Sequence, residues 1–413
     1  MVLLPELHFG QNVAVKTKGE KKMKTTTKLG LSVLTAAILI TPTVLSFGGY
    51  ASSTIVQAAD VKTVTVNTFA ELKAALETSP TDIISINADI TATSDIAISK
   101  QHNPLVRGNN HKLDMGKYVI NAKQFGVIAL EDLTIESTGS YGIYRTDTDG
   151  QLALNNVTFT GKQIAYAPKG ALTFHGTTKV TTTSTLEIAK VNTIIFGENA
   201  SFTATTTADA FLMAQASPKV YVSKGSTVNI TSTKKVFNMT GATPLFSTEA
   251  GSKLTTNSVD VALYINGKPN FGANSSTEFN QDATGTVGLI YASTGIDVEK
   301  NASFILNGSA KSTQLIKTSK SAISFNDVAN VDLKSNNAKG SIFNVSTGSI
   351  VQFNTPQTLT LGTKTTDATL TSTNLRASFS ASGTNLSVQS YMGNDYSFIN
   401  FDYKTMGSFK LTK

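Results

Sequence analysis

The chain has no cysteine and no tryptophan, and only 15% of its 413 residues are charged. Without cysteine there is neither a disulfide framework nor a thiolate nucleophile or ligand, so stability has to come from packing. Arginine occurs only at Arg107, Arg145 and Arg376, which leaves few planar forks for bidentate binding of phosphate or carboxylate. The histidines, His8, His102, His111 and His175, have no metal-ligand spacing, and no Gly-x-Ser-x-Gly elbow accompanies them. Zinc, copper and serine-hydrolase chemistry are therefore unsupported. The net charge of +7 is partly concentrated in Lys16, Lys18, Lys21, Lys22, Lys24 and Lys28. The weak positive balance left for the remainder is spread out, unlike a nucleic-acid footprint.

What the chain does have is a repeat. Phe202, Val228, Leu254, Phe279 and Phe304 recur about every 25 residues, each in the same setting of apolar run, polar corner and apolar run. Aligned corners include Phe196-Gly-Glu-Asn-Ala-Ser-Phe202, Val222-Ser-Lys-Gly-Ser-Thr-Val228 and Val298-Glu-Lys-Asn-Ala-Ser-Phe304. A second apolar cluster recurs at Phe211-Leu212-Met213, Val236-Phe237, Leu263-Tyr264-Ile265, Leu289-Ile290-Tyr291, Leu315-Ile316 and Ile342-Phe343. Short alternating runs bounded by Gly, Asn, Ser, Thr and Lys are strands, and a fixed short period stacks them. The expectation is an all-β, single-stranded parallel β-helix. Anchors at Ile86, Leu113, Ile135, Phe159, Val180, Val331 and Val351 extend the series to about twelve coils of 20–27 residues. Asn-Gly hairpin turns are scarce and the unit is too short for a sandwich domain.

Residues 1–59 read as addressing. From Met23 the chain runs through Lys24 and Lys28, an apolar stretch from Leu29 to Phe47, then Val56-Gln57-Ala58-Ala59, which is a signal peptide with cleavage near Ala58 or Ala59 (23–59). Residues 1–22 read as a translated leader, because Lys18-Gly19-Glu20 can be encoded by a purine-rich ribosome-binding sequence ahead of a start at Met23. Residues 60–112 then form an N-terminal cap and first coil. Thr68-Phe69-Ala70-Glu71 is a capping box, and Phe69, Leu72, Ala75 and Leu76 share one helical face before Pro80, which predicts a short capping helix over Phe69 to Thr78. Such a cover is needed because an open first rung would invite edge-to-edge polymerisation. The coils occupy 113–375, and 376–413 reads as closing strands or the start of a further region.

The run Phe-Ala-Glu-Leu-Lys-Ala-Ala-Leu from Phe69, then Ile86-Asn-Ala-Asp-Ile90, Arg107-Gly-Asn-Asn-His-Lys-Leu-Asp114 and the repeated coils resemble the pectate-lyase-like adhesive domain of Gram-positive surface proteins. The resemblance covers roughly residues 62–375 and rests on pattern rather than on one short motif. It implies a right-handed parallel β-helix, displayed at the surface or wall of a Gram-positive cell and acting in attachment. The chain departs from such proteins in lacking a Leu-Pro-x-Thr-Gly signal with an apolar tail and any Trp-x-Leu module, so release, non-covalent retention and truncation stay open.

The same architecture carries polysaccharide lyases and glycosidases, which need grouped carboxylates. The densest charged cluster here is Tyr144-Arg145-Thr-Asp147-Thr-Asp149-Gly, with Lys169 expected on the next coil beside Asp149. Asp147-x-Asp149-Gly is also half of a Ca²⁺ loop, usable only if a neighbouring coil adds oxygens. Tyrosines can stack on sugars while keeping a hydrated hydroxyl. Tyr141, Tyr144, Arg145, Asp147, Asp149, Tyr166 and Lys169 are therefore the candidate binding residues, with no catalytic and no metal residue assigned. Tyr264 and Tyr291, inside apolar clusters, read as half-buried core. The leading expectation is a non-catalytic adhesin module, monomeric, meeting a host or matrix glycan or protein through its lateral face. A lyase or glycosidase and an envelope spacer are the alternatives.

Overall fold

The computed structural model describes residues 61–78, 81–124, 126–319, 322–346, 349–353, 358–363, 377–382, 385–392, 395–402 and 406–413. The stretches read as leader and signal (1–22 and 23–59) lie outside these residues. The described chain is an all-β parallel solenoid of about twelve coils with one short helix.

Each full coil contributes three short strands, and each strand pairs in parallel with its counterpart one coil on. The first face begins with Thr63–Val66 against Ile83–Ile86 and runs to Ile350–Phe353. The second, here the threonine face, begins at Ile90–Thr91 and runs to Asn330–Ser335. The third, here the tyrosine face, begins at Ile96–Ile98 and runs to Ser341–Val345. Alternation turns every second side chain inward. The Thr227–Ser232 strand shows it, with Val228, Ile230 and Ser232 buried between exposed Asn229 and Thr231. The inward side chains merge into one core from Val66 to Leu411. Aromatic rings pack along it, with Phe174 and Phe202 centroids 4.2 Å apart, Phe271 and Phe304 4.7 Å, and Phe211 and Phe237 stacked at 5.7 Å.

The repeat is real, but its anchors do not form one column. Phe202 pairs with Val228 and Val228 with Leu254, whereas Val180 pairs with Ala204, and Phe279 with Thr256 and Leu306. Each strand of the threonine face offers inward positions two residues apart, and the bulky side chain takes either one. At one end Leu113 is the partner of Ile90 rather than Ile86, and at the other Val351 pairs with Ile323 on the first face rather than with Val331. Column hopping of this kind follows from shared volume: a large group at one inward position accommodates a small one beside it, as Phe202 does Ala204.

The corner between the first and threonine faces is a column of left-handed residues, one per coil. Asp132 (φ 52°), Asn156 (53°), Asn199 (56°), Asn274 (58°), Asn301 (58°) and Asp327 (52°) share the column with Gly176, Gly225 and Gly251. Asparagine and aspartate tolerate this conformation, and glycine adopts it freely. The amides link coil to coil, Asn156 Nδ2 donating to Asp132 Oδ1 at 3.0 Å and Asn301 Nδ2 to Asn274 Oδ1 at 3.2 Å.

The first coil is covered. The helix spans Phe69–Thr78 and buries Phe69, Leu72, Ala75 and Leu76. Its capping box is reciprocal: Glu71 accepts from the N–H of Asn67 at 2.7 Å and of Thr68 at 3.0 Å, while its own N–H donates to Thr68 Oγ1 at 3.3 Å. At the far end the polarity reverses. Met406–Thr412 pairs antiparallel with Asn330–Ser335 and, on its other side, with Thr358–Thr363. Its Phe409 ring packs 5.7 Å from Phe325 and 5.5 Å from Phe343. Ile350–Phe353 is likewise continued by an antiparallel meander of Ala377–Ser382, Asn385–Met392 and Asp395–Asp402.

Candidate functional site

The tyrosine face carries one outward column that continues from coil to coil. Register places Tyr166 beside Lys190, Lys190 beside Leu212, and Leu212 beside Asn238. The column goes on through Tyr264, Tyr291, Lys317 and Asn344. With about 4.8 Å per rung, Tyr166 and Tyr291 are roughly 24 Å apart along it. Aromatic and cationic groups gather at its two ends.

The first cluster is the one marked in the sequence. Tyr141 and Tyr166 meet edge to face, centroids 5.4 Å apart at 81°. The Arg145 guanidinium lies 4.5 Å from the Tyr141 centroid, and the Lys190 ammonium 5.3 Å from that of Tyr166. Asp147 is 3.9 Å from Arg145, an exposed pair of little energetic weight. Asp149 and Lys169 are exposed on adjacent coils, the register being fixed by Gln151 opposite Ala171.

Tyr144 does not join them. Its side chain is fully buried, because alternation places it inward between Ile143 and the outward Arg145. Burial pushes its phenol far above the ordinary range, and the hydroxyl has no hydrogen-bond partner among the described residues. Tyr144 is a core residue, and the candidate surface loses it.

The second cluster is one the sequence reading assigned to the core. In Leu263–Ile265 and Ile290–Ala292 the outer residues point inward, which sends Tyr264 and Tyr291 out. Their rings stack at 4.6 Å with 12° between planes. Lys235 and Lys317 flank the pair, with ammonium groups 5.9 Å and 5.6 Å from the nearer ring. Together with Asp260, Val287 and Gln314 they line a groove of about 270 Å³. Asp260 sits 3.8 Å from Lys235. Since the flat faces of the rings are occupied by each other and by lysine, the groove presents tyrosine edges and hydroxyls between two ammonium groups. The missed signal was positional, since the coils on either side of the tyrosine pair carry Asn238 and Lys317 at the equivalent position, both polar.

The acidic pair Glu131-Asp132 is structural. Asp132 occupies the left-handed corner. Glu131 accepts from Arg107 Nε at 3.2 Å and from Asn155 Nδ2 at 2.9 Å, joining three coils of the first face. Burial lowers the basicity of His175, one coil further on. Among the described residues no three His, Asp or Glu side chains converge as a metal site, and no helix is long and apolar enough to cross a membrane.

Residues 63–166 match the family model described as "Putative pectate lyase-like adhesive domain". That stretch includes the helix, the first coils and the tyrosines of the first cluster, Tyr141 and Tyr166. No curated protein matches the chain. Among solved structures, "L. reuteri 53608 SRRP" is 16% identical with a TM-score of 0.36, covering 70% of this chain and 95% of that one. "L. reuters 100-23 SRRP" is also 16% identical, with a TM-score of 0.42, covering 72% of this chain and 100% of that one.

Proposed function

We propose that this chain is an exported, surface-displayed adhesin module that binds a glycan through its tyrosine face without transforming it. The observation that carries the reading is the groove between Lys235 and Lys317. It is open, ribbed at the coil spacing, and lined by the half-exposed Tyr264 and Tyr291 and by Lys235 and Lys317 beside apolar Val261 and Val287, which suits the mixed apolar and hydroxyl or carboxylate surface of an extended sugar polymer. The match of the first coils to an adhesive-domain model supports the same reading. Attachment to the surface or wall of a Gram-positive cell, and export by the segment 23–59, belong to the proposal.

The test is to incubate the purified chain on an array of host, matrix and plant polysaccharides with and without Ca²⁺, recording retention and any release of reducing or unsaturated ends. Retention without product, weakened by Tyr264→Ala and Lys317→Ala, supports the module. Calcium-dependent product release overturns it in favour of a lyase and directs attention to Arg145, Asp147 and Asp149.

A further inference from the structure

Among the described residues the threonine face carries no outward aromatic group, unlike the tyrosine face, and its outward charges are of both signs. Its central outward row reads Lys179, Thr203, Asn229, Thr255, Glu278 over five consecutive coils and continues through Ile305 to Asp332, which reversal sets against Thr134. That order is self-complementary about Asn229. Reversed and laid against itself, it sets Lys179 against Glu278, Thr203 against Thr255, and Asn229 against its own copy. The neighbouring row runs from Glu136 through Thr160, Thr181, Thr205 and Thr231. It continues through Asn257, Asn280 and Asn307 to Lys334. It is centred on Thr231 at the same coil, and reversal sets Glu136 against Lys334. In the third row, Lys253 falls against Ser201.

From these registers we propose that two copies of this chain associate through the threonine face, rods antiparallel, about a two-fold axis passing beside Asn229 and Thr231. Two-fold contact requires each residue's partner to find the reciprocal partner, and the charge pattern meets that requirement with no like charges opposed over nine coils. Parallel stacking in the same register would instead set Lys179 against Lys179 and Glu278 against Glu278. The side chains that would interdigitate are short, uncharged Thr, Ser and Asn on a pleated surface, compatible with sheets packed about 10 Å apart. Nine coils of six-residue strands cover about 650 Å² per partner, at the low end of stable specific interfaces, for which about 800 Å² per partner is typical. The contact is therefore weak for one pair of molecules and strong only where many copies are displayed on apposed surfaces.

Sedimentation velocity of the purified chain over a wide concentration range, in the absence of any glycan, tests this. The wild-type chain is expected to show a reversible monomer–dimer equilibrium that weakens with salt. Lys179→Glu and Glu278→Lys alone should each weaken it tenfold or more, and the double swap Lys179→Glu with Glu278→Lys should restore it. Thr231→Lys, which sets two ammonium groups against each other at the axis, should abolish it. Unchanged circular dichroism and melting confirm that each variant is folded. A chain that stays monomeric throughout, or single reversals that dimerise as well as wild type, overturns the proposal. Neither result bears on glycan retention, which depends on another face.

Discussion

Tyr264 and Tyr291 lie on successive coils with their rings 4.6 Å apart and nearly parallel, the separation that parallel strands impose on any identical pair in register. The backbone thus builds the aromatic pair before any ligand arrives, and no ordering of side chains is left for binding. Tyr291→Ala is expected to reduce glycan retention at least tenfold while changing stability little, because the ring is outward. Tyr166→Ala, at the other end of the column, should reduce retention of long polymers and leave short oligomers unaffected. Surface-immobilised binding with graded chain lengths checks both.

Thr277 is fully buried, and its hydroxyl has no hydrogen-bond partner among the described residues, with apolar Leu254 and Phe304 on the coils to either side. Thr277→Val keeps the shape and removes the stranded polar atom, so it should stabilise the chain by about 1 kcal/mol in urea unfolding. Phe202→Ala, which empties a site packed against Phe174 and Phe196, should instead destabilise it by about 3–5 kcal/mol.

Gly225 and Gly251 are successive members of the left-handed corner, at φ +69° and +72°. A Cβ on Gly225 would fall 2.3 Å from Asn199 Oδ1, whereas one on Gly251 meets nothing closer than 3.8 Å. Gly251→Ala should cost only the backbone strain, about 1–2 kcal/mol, and Gly225→Ala measurably more. Gly251→Asn should recover most of the loss, since asparagine is the corner's own residue. Equal effects of the two alanine variants in thermal melts would refute the steric argument.

The N–H groups of Asn67 and Thr68 hold the Glu71 carboxyl below its ordinary range. A depressed carboxyl contributes stability above its unfolded pKa, and that contribution disappears as pH falls through the lower folded value. The wild-type chain should therefore exceed Glu71→Gln in stability at neutral pH and converge with it below about pH 4. Amide exchange in the Phe69–Thr78 helix should accelerate over the same window.

The solenoid and its cap were readable because each rests on a local rule: alternation for strands, repetition for stacking, and Thr68 with Glu71 for the helix start. The anchor columns were not readable residue by residue, because a core tolerates its bulky group at Thr277 or at Phe279 alike. Only backbone pairing shows which one aligns with Leu254. Two tyrosines were hard to place for a related reason. Tyr144 and Tyr264 both sit among apolar neighbours, and hydrophobicity alone ranks them equally, yet one points in and the other out. Strand phase separates them, and phase is fixed by where the corner residue begins each strand.

The reversed strand Met406–Thr412 has a kinetic consequence. Every parallel rung pairs with residues one coil away, so most of the stack can zip by closing short loops in sequence. Asn330, in contrast, finds Thr412, a closure several coils long in chain distance and slower for that reason. The rung Thr358–Thr363 is joined to the stack through this late strand. A chain that has not yet docked Met406–Thr412 therefore stays open at that end of its stack. Docking of this strand, rather than growth of the stack, is then the slow step of folding.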